Sequence, residues 1–216
     1  MDIYLTVVRF FHDGGLFMYF IGAVLAAGVA IALERYLYLS RTRRNHQRQW
    51  ANLMPLLNRG AFREAYNATN GSRHPIDEVL SSALSRLSSA KQRDDVELAL
   101  EEAMMGVIPR LEKRTHYLAT FANIATLLGL LGTIIGLIGA FTTVAGADPS
   151  DKAQLLASNI SVAMNTTAFG LMVAIPLLLV HAVLQTKTTE IIDGLEMAGV
   201  KFVNLISSRQ RTGHDT

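Results

Sequence analysis

The stretch 153–184 restricts the fold more than any other part of the chain. It is long and apolar enough to cross a lipid bilayer, a crossing that takes about 20 residues. Ten of its positions, 158–167, also hold six polar side chains, namely Ser158, Asn159, Ser161, Asn165, Thr166 and Thr167. Polar groups cost free energy in lipid unless they meet protein or water. The pattern predicts a membrane helix that turns a polar face towards partners, although single Ser and Thr residues also serve as ordinary packing contacts between helices.

The composition agrees with an integral membrane protein that has a sizeable polar part. Half of the 216 residues are hydrophobic, 18% are charged, and the mean hydropathy is +0.27. The net charge of +2 gives no reason to expect a nucleic-acid partner, because membrane topology explains the basic residues. The chain has no Cys, and its His residues lack metal-ligand spacing, so neither a metal nor a cofactor is predicted. An enzyme is not indicated, since no nucleophile–base pairing or phosphate-binding loop is visible.

Charged residues beside the apolar runs predict three membrane helices and their orientation. Arg residues follow the first run and precede the second, whereas the loop after the second run carries two Asp and one Lys. By the positive-inside rule, the long polar region and the tail are cytoplasmic. The predicted segments are an interfacial amphipathic segment at 1–15, membrane helices at 16–33, 118–144 and 154–184, a cytoplasmic helical region at 34–117, an outer loop at 145–153 and a cytoplasmic tail at 185–216.

Helix signals continue through the polar region 34–117. The first membrane helix is expected to run on to Leu57 and to stop at the Asn-Arg-Gly tripeptide 58–60, because Gly favours helix ends. Pro75 suits the first position of a later helix. Pro109 is expected to kink or interrupt the helix that contains it. The region is therefore predicted to be helical throughout, with turns between its helices.

Four glycines give the second membrane helix a side without side chains. They follow spacings of three, four and three residues and so share one side of a helix: Gly129, Gly132, Gly136 and Gly139. Gly132 and Gly136 form a GxxxG pair, which lets another helix approach closely. Gly170 and Pro176 are further packing candidates in the third membrane helix. The pattern predicts that another helix packs closely against this side. Packing alone, without any further role, would also explain it.

Neither of the last two membrane helices carries Asp, Glu, Lys or Arg between 118 and 144 or between 155 and 184. A proton path through a membrane generally needs a titratable group. His116 and His181, at the ends of these helices, could buffer protons, or each could be an interfacial His with an apolar body and a wet tip. If ions cross here, the acid that carries them is expected from another chain.

Two segments carry a family resemblance. EEAMMGVIPRLEKRTHYLATFANIATLLGLLGTIIGLIGAF at 101–141 and ISVAMNTTAFGLMVAIP at 160–176 resemble the ExbB/TolQ/MotA proton-channel family, and its ExbB/TolQ branch in particular. The three-helix topology with its large cytoplasmic region agrees over nearly the whole chain. The flagellar stator branch differs, because its members have four membrane helices.

The resemblance implies an all-α protein of the bacterial inner membrane whose copies form a homopentameric ring. The N-terminus would be periplasmic and the C-terminus cytoplasmic, which agrees with the charge pattern. The pore would hold a dimer of an ExbD- or TolR-like single-span protein, whose membrane Asp carries the proton. A TonB- or TolA-like envelope protein is a further implied partner. The missing carboxylate in the chain's own helices is consistent with this arrangement.

The resemblance also assigns roles to individual residues. Thr133 in GLLGTIIG and Thr167 in MNTTAFG match the family's pore threonines, whose hydroxyls would bind the partner's Asp and waters. Thr166 adds a hydroxyl beside the pore position, and Asn165 is expected to serve a subunit interface. Val162 departs from the family pattern, because many relatives carry Glu at this position.

The resemblance therefore implies the proton-channel subunit of a motor that couples the proton motive force to work on the cell envelope. The alternative is a passive scaffold that anchors a partner in the membrane without conducting ions. Half of a solute transporter is disfavoured, since the membrane helices are too few and no inverted repeat is visible.

Overall fold

The computed structural model describes residues 15–87 and 93–212. All regular elements of this part are α-helices, in the order α1 (Leu16–Arg59), α2 (Phe62–Thr69), α3 (Pro75–Leu87), α4 (Arg93–Glu112), α5 (Thr115–Ala145) and α6 (Lys152–Thr212). Three helical stretches, in α1, α5 and α6, are long and apolar enough to span a membrane. The all-α architecture with three membrane helices is thus confirmed, whereas the amphipathic helix expected at 2–12 lies outside the described residues.

Two helices extend well beyond the thickness of a membrane. α1 has 44 residues and α6 has 61, lengths of about 65 Å and 90 Å at 1.5 Å per residue. The hydrocarbon core of a bilayer is only about 30 Å thick. α1 ends at Arg59, as the sequence predicts, and Gly60 follows in the left-handed region with φ +77°. The tail after residue 184 continues as helix to Thr212, an extension that the sequence analysis left open.

The helical conformation is interrupted between α4 and α5, at a point where the chain has no glycine. Pro109 lies inside α4, and the kink or the interrupted hydrogen bonding expected there stays a prediction. The helix ends at Glu112, and Arg114 adopts the left-handed region with φ +66°. An ion pair from Arg114 to Glu34 at 2.7 Å accompanies this break. Since non-glycine residues seldom adopt positive φ, no local sequence signal marks a break at this point.

The chain divides into two compact units. The first, called here the membrane unit, comprises Met1–Glu34 and Arg114–Val183, and the second, the polar unit, comprises Arg35–Lys113 and Leu184–Thr216. In the membrane unit, small residues of α5 are buried, including Ala122, Ala125, Gly129 and Gly132. Large residues of the same helix are exposed, among them Leu127, Ile134, Ile138 and Phe141. This distribution is typical of membrane helices, which pack through small residues.

The polar unit has an apolar core of its own. α3 buries the residues that form its apolar stripe, namely Ile76, Val79, Leu80, Ala83 and Leu84, and α6 buries Ile191, Leu195, Ala198, Phe202 and Val203. Burying a large aliphatic side chain stabilises a fold by about 1.5–3 kcal/mol. The guanidinium of Arg35, which is also buried, donates a hydrogen bond to the carbonyl of Leu111.

Candidate functional site

α5 and α6 approach each other most closely where both carry glycine. A Cβ built at Gly170 would lie 2.7 Å from the Ala125 carbonyl oxygen and 3.1 Å from the Gly129 Cα. A Cβ at Gly129 would lie 3.2 Å from the Thr167 Cα. These neighbours are backbone atoms, which cannot move unless the helices separate. Glycine at both positions therefore allows the backbones of α5 and α6 to touch.

This close approach brings three oxygen atoms together. The Thr133 hydroxyl donates to the Gly129 carbonyl of its own helix at 3.0 Å, and the Thr167 hydroxyl reaches the same carbonyl from α6 at 2.8 Å. The two hydroxyls are also within hydrogen-bond distance of each other. We call Thr133, Thr167 and the Gly129 carbonyl the hydroxyl cluster. The structure thus brings the two threonines together, and their role as pore residues stays a prediction.

The hydroxyl cluster has fewer hydrogens than contacts. Three oxygen–oxygen contacts join its members, but each hydroxyl supplies one hydrogen. One contact must therefore be shared or alternate between donors. A hydroxyl that turns away to meet a new acceptor leaves the Gly129 carbonyl with the other threonine as donor. The cluster can thus present a donor or an acceptor to an incoming polar group at little cost to its own hydrogen bonding.

Thr166 lies beside the cluster but is oriented differently. It is buried, and its Cγ2 would be 2.5 Å from a Cβ at Gly132. Its hydroxyl donates to the Val162 carbonyl one turn earlier in α6 at 3.0 Å. These contacts make Thr166 part of the α5–α6 packing, whereas its predicted place in a proton path stays a prediction.

The remaining packing candidates divide into two groups. A Cβ at Gly136 would lie 2.7 Å from the Ala163 Cβ, so Gly136 packs against α6 within the same chain. A Cβ at Gly139 would meet nothing within 4 Å. Asn165 is half-buried and Pro176 is exposed inside α6. For Gly139, Asn165 and Pro176, contacts between copies of the chain remain a prediction.

The structure brings together two histidines that the sequence analysis treated separately. The rings of His116 in α5 and His181 in α6 have centroids 6.4 Å apart. A signal for this pairing was available, because the two residues lie almost equally far along the chain from the loop centre near residue 149. The same symmetry relates Thr133 to Thr167. Among the described residues, no group of three or more His, Cys, Asp or Glu side chains is placed to hold a metal ion.

Sequence comparisons relate this chain to known proteins. A sequence model of the MotA/TolQ/ExbB proton channel family matches residues 71–197. The biopolymer transport protein ExbB homolog of Methanothermobacter thermautotrophicus is 29% identical over 194 residues, which cover 89% of this chain and 67% of that protein. The Tol-Pal system protein TolQ of Haemophilus influenzae is 36% identical over 93 residues, which cover 43% of this chain and 40% of that protein.

A third relative covers a similar part of the chain. The biopolymer transport protein ExbB-like 1 of Synechocystis is 38% identical over 104 residues, which cover 47% of this chain and 41% of that protein. The chain thus spans about two fifths of the length of the second and third relatives. The family match includes both threonines of the hydroxyl cluster, and three helices are long and apolar enough to make a multi-pass membrane protein. The chain therefore belongs to the MotA/TolQ/ExbB proton channel family and to its ExbB/TolQ-like branch.

Proposed function

We propose that this chain is the proton-channel subunit of an inner-membrane motor that couples the proton motive force to work on the cell envelope. The observation that carries the proposal is the hydroxyl cluster, which lies between two membrane-spanning stretches, 118–144 and 155–184, that contain no Asp, Glu, Lys or Arg. Hydroxyls can bind a carboxyl group, but carriage of a proton through a membrane generally needs a titratable group. The site therefore requires an acid from a second protein.

The partner that fits this site is a single-span protein of the ExbD/TolR type with one membrane Asp. An ionised Asp only accepts hydrogen bonds, so it would draw a hydroxyl hydrogen of Thr133 or Thr167 towards itself. A protonated Asp also donates, and the threonine oxygens can then accept. The cluster can thus hold the acid in either state while the proton passes on. One charge that crosses 100 mV releases about 2.3 kcal/mol, which supplies energy for mechanical work.

Several copies of this chain are proposed to surround that partner. The exposed large residues of α5, among them Leu127, Ile134 and Ile138, need either lipid or a neighbouring subunit to cover them. A homopentamer is the assembly that the family resemblance implies. A TonB- or TolA-like envelope protein would receive the work. These steps rest on the family membership and on the apolar surface together.

Proton flux into liposomes tests this function. The chain is reconstituted with a single-span ExbD/TolR-type protein from the same genome, and acidification of the lumen is followed under an imposed membrane potential. Flux is expected when both proteins are present and should vanish when the partner's membrane Asp is replaced by Asn. If the partner binds stably but no condition gives flux above empty liposomes, the chain is a passive scaffold and the channel function is rejected.

Topology gives a separate prediction, because the charge pattern places residue 148 outside the cell and residue 47 inside. The chain has no Cys, so single cysteines can be labelled without background. Both side chains are exposed. A membrane-impermeant maleimide applied to intact spheroplasts should label Asp148→Cys at once and Gln47→Cys only after permeabilisation. Labelling in the reverse order would contradict the N-out, C-in arrangement.

A further inference from the structure

The polar unit contains a buried acid. Asp77, in the first turn of α3, is only 1% exposed. One carboxylate oxygen, Oδ2, accepts a hydrogen bond from the Ser72 hydroxyl at 2.6 Å, whereas Oδ1 is buried and has no hydrogen-bond partner among the described residues. A buried carboxylate with one oxygen unpaired costs free energy when it is charged. Such a group therefore gains from taking up a proton.

His46 of α1 is a second unsatisfied group in the same unit. Its Nδ1 is buried and has no hydrogen-bond partner within the described part of the chain. The other side of its ring packs against α6, where a Cβ built at Gly194 would lie 3.0 Å from Nε2. Glycine at this position is what lets the ring fit beside the helix. His46 thus connects α1 with α6, and its protonation state bears on that contact.

The two groups interact electrostatically, and burial shifts their pKa values towards each other. Burial raises the pKa of Asp77, and the Ser72 hydrogen bond and the charges of His74 and His46 oppose this effect. Burial lowers the pKa of His46, and the charge of Asp77 opposes it. Burial thus disfavours the charged form of each group, and the charge of either group opposes the effect of burial on the pKa of the other.

We propose that Asp77 and His46 form a proton-binding site inside the polar unit, through which acidification changes the packing of α3 and α6 against α1. This site does not belong to the proposed proton path through the membrane. The proposal holds whether or not the chain conducts ions. Its ligand is the proton itself. Its effect is a change in helix contacts, because each protonation state leaves a different buried atom charged or unpaired.

The other charged groups around the site are engaged elsewhere or face solvent. His74, in the turn before α3, is half-buried and lies 3.5 Å from the Asn45 amide nitrogen. Glu78 pairs with Arg110 at 2.5 Å and, on α6, Glu190 pairs with Arg43 at 2.9 Å. Asp193 and Glu196, which flank Gly194 on α6, are exposed. The positive end of the α3 dipole favours an anion at Asp77 and so opposes the effect of burial on the Asp77 pKa.

The two groups respond to pH in opposite directions. Because the Asp77 pKa is raised, the stability contributed by its neutral form is present below its ordinary value of 3.8 and is lost as pH rises through the raised pKa. Because the His46 pKa is lowered, the stability contributed by its neutral form is present above 6.5 and is lost as pH falls through the lowered pKa. Changes in helix packing are therefore expected in mildly acidic solution.

Trp50 provides the probe for this site. It is the single Trp of the chain and lies about one turn after His46 in α1. In nanodiscs holding the full chain, we expect its fluorescence to titrate between about pH 4 and 6.5, the range between the ordinary Asp and His values. The Asp77→Asn, His46→Gln double variant should give a flat profile. Asp193→Asn, a matched exposed acid on α6, should titrate like the wild type.

A second pair of variants tests the direction of the effect. Ser72→Ala removes the hydrogen bond that holds the Asp77 anion, so the titration midpoint should move to higher pH. Asp77→Asn keeps an acceptor for Ser72 and removes the buried charge, so its melting temperature at pH 7.5 should exceed that of the wild type by about 2–4 °C. This difference should shrink as pH falls towards 3.8. A double variant that titrates like the wild type, or an unmoved midpoint in Ser72→Ala, would overturn the site.

Discussion

Thr167→Val is expected to abolish proton flux through the chain and its partner, whereas Thr167→Ser should retain part of it. Val keeps the volume of Thr but loses the hydroxyl that reaches the Gly129 carbonyl and the Thr133 hydroxyl. Ser keeps the hydroxyl and loses a methyl group. Because the proposed site works by hydrogen bonding to an incoming carboxyl group, chemistry should matter more than shape at this position.

The fold should survive Thr167→Val. A single hydrogen bond contributes about 1 kcal/mol net to stability, and the Gly129 carbonyl keeps Thr133 as a donor at 3.0 Å. Partner binding and thermal stability should therefore remain close to the wild type while flux falls at least about tenfold, which corresponds to 1.4 kcal/mol in the barrier. Flux is measured in liposomes that contain equal amounts of each reconstituted complex.

Thr166→Val is the matched control for this experiment. Thr166 is the preceding residue, and its hydroxyl donates back to the Val162 carbonyl. Its methyl group packs against Gly132, and Val preserves that contact. A smaller loss of flux than in Thr167→Val is expected. If Thr166→Val and Thr167→Val reduce flux equally, or if Thr167→Val conducts normally, the hydroxyl cluster is a packing feature and the proposed mechanism is wrong.

The sequence predicts the membrane helices well because their signals are local. Long uncharged runs locate the helices, and Gly60 and Pro75 mark helix boundaries that the structure confirms. The helical course of the tail could also have been predicted. Residues buried by α6 recur at spacings of three and four, the period of an amphipathic helix, at Ile191, Leu195, Ala198, Phe202 and Ile206.

The details of both sites depend on packing between helices that are distant in sequence. Two neighbouring threonines on a helix point about 100° apart, so only the register of α5 against α6 decides which hydroxyl joins the cluster. The Gly129 carbonyl becomes an acceptor for α6 only because Gly170 lets the backbones meet. Likewise, the charge of Asp77 in α3 acts on the pKa of His46 in α1, across a turn-rich segment. No local pattern encodes that effect.

Gly170→Ala is expected to have the largest effect on the assembly of the membrane unit. The new Cβ would lie 2.7 Å from the Ala125 carbonyl oxygen and 3.1 Å from the Gly129 Cα. Because both neighbours are backbone atoms, the helices must separate to accept the methyl group. Overpacking of this kind costs about 1–3 kcal/mol. The separation should also pull Thr167 away from the Gly129 carbonyl, so flux should be lost together with stability.

Gly139→Ala adds the same methyl group to the glycine stripe of α5, at a point where no described residue lies within 4 Å of the new Cβ. It should therefore leave the packing of α5 against α6 intact and change the melting temperature of the detergent-solubilised protein less than Gly170→Ala, which should lower it by several degrees. Gly136→Leu should lower the melting temperature as Gly170→Ala does, since a Cβ at position 136 would lie 2.7 Å from the Ala163 Cβ. Native mass spectrometry of the same samples reports whether the oligomer persists. Equal melting temperatures for Gly170→Ala and Gly139→Ala would show that α5 and α6 do not meet through Gly170. The geometry of the hydroxyl cluster, which depends on that contact, would then be wrong as well.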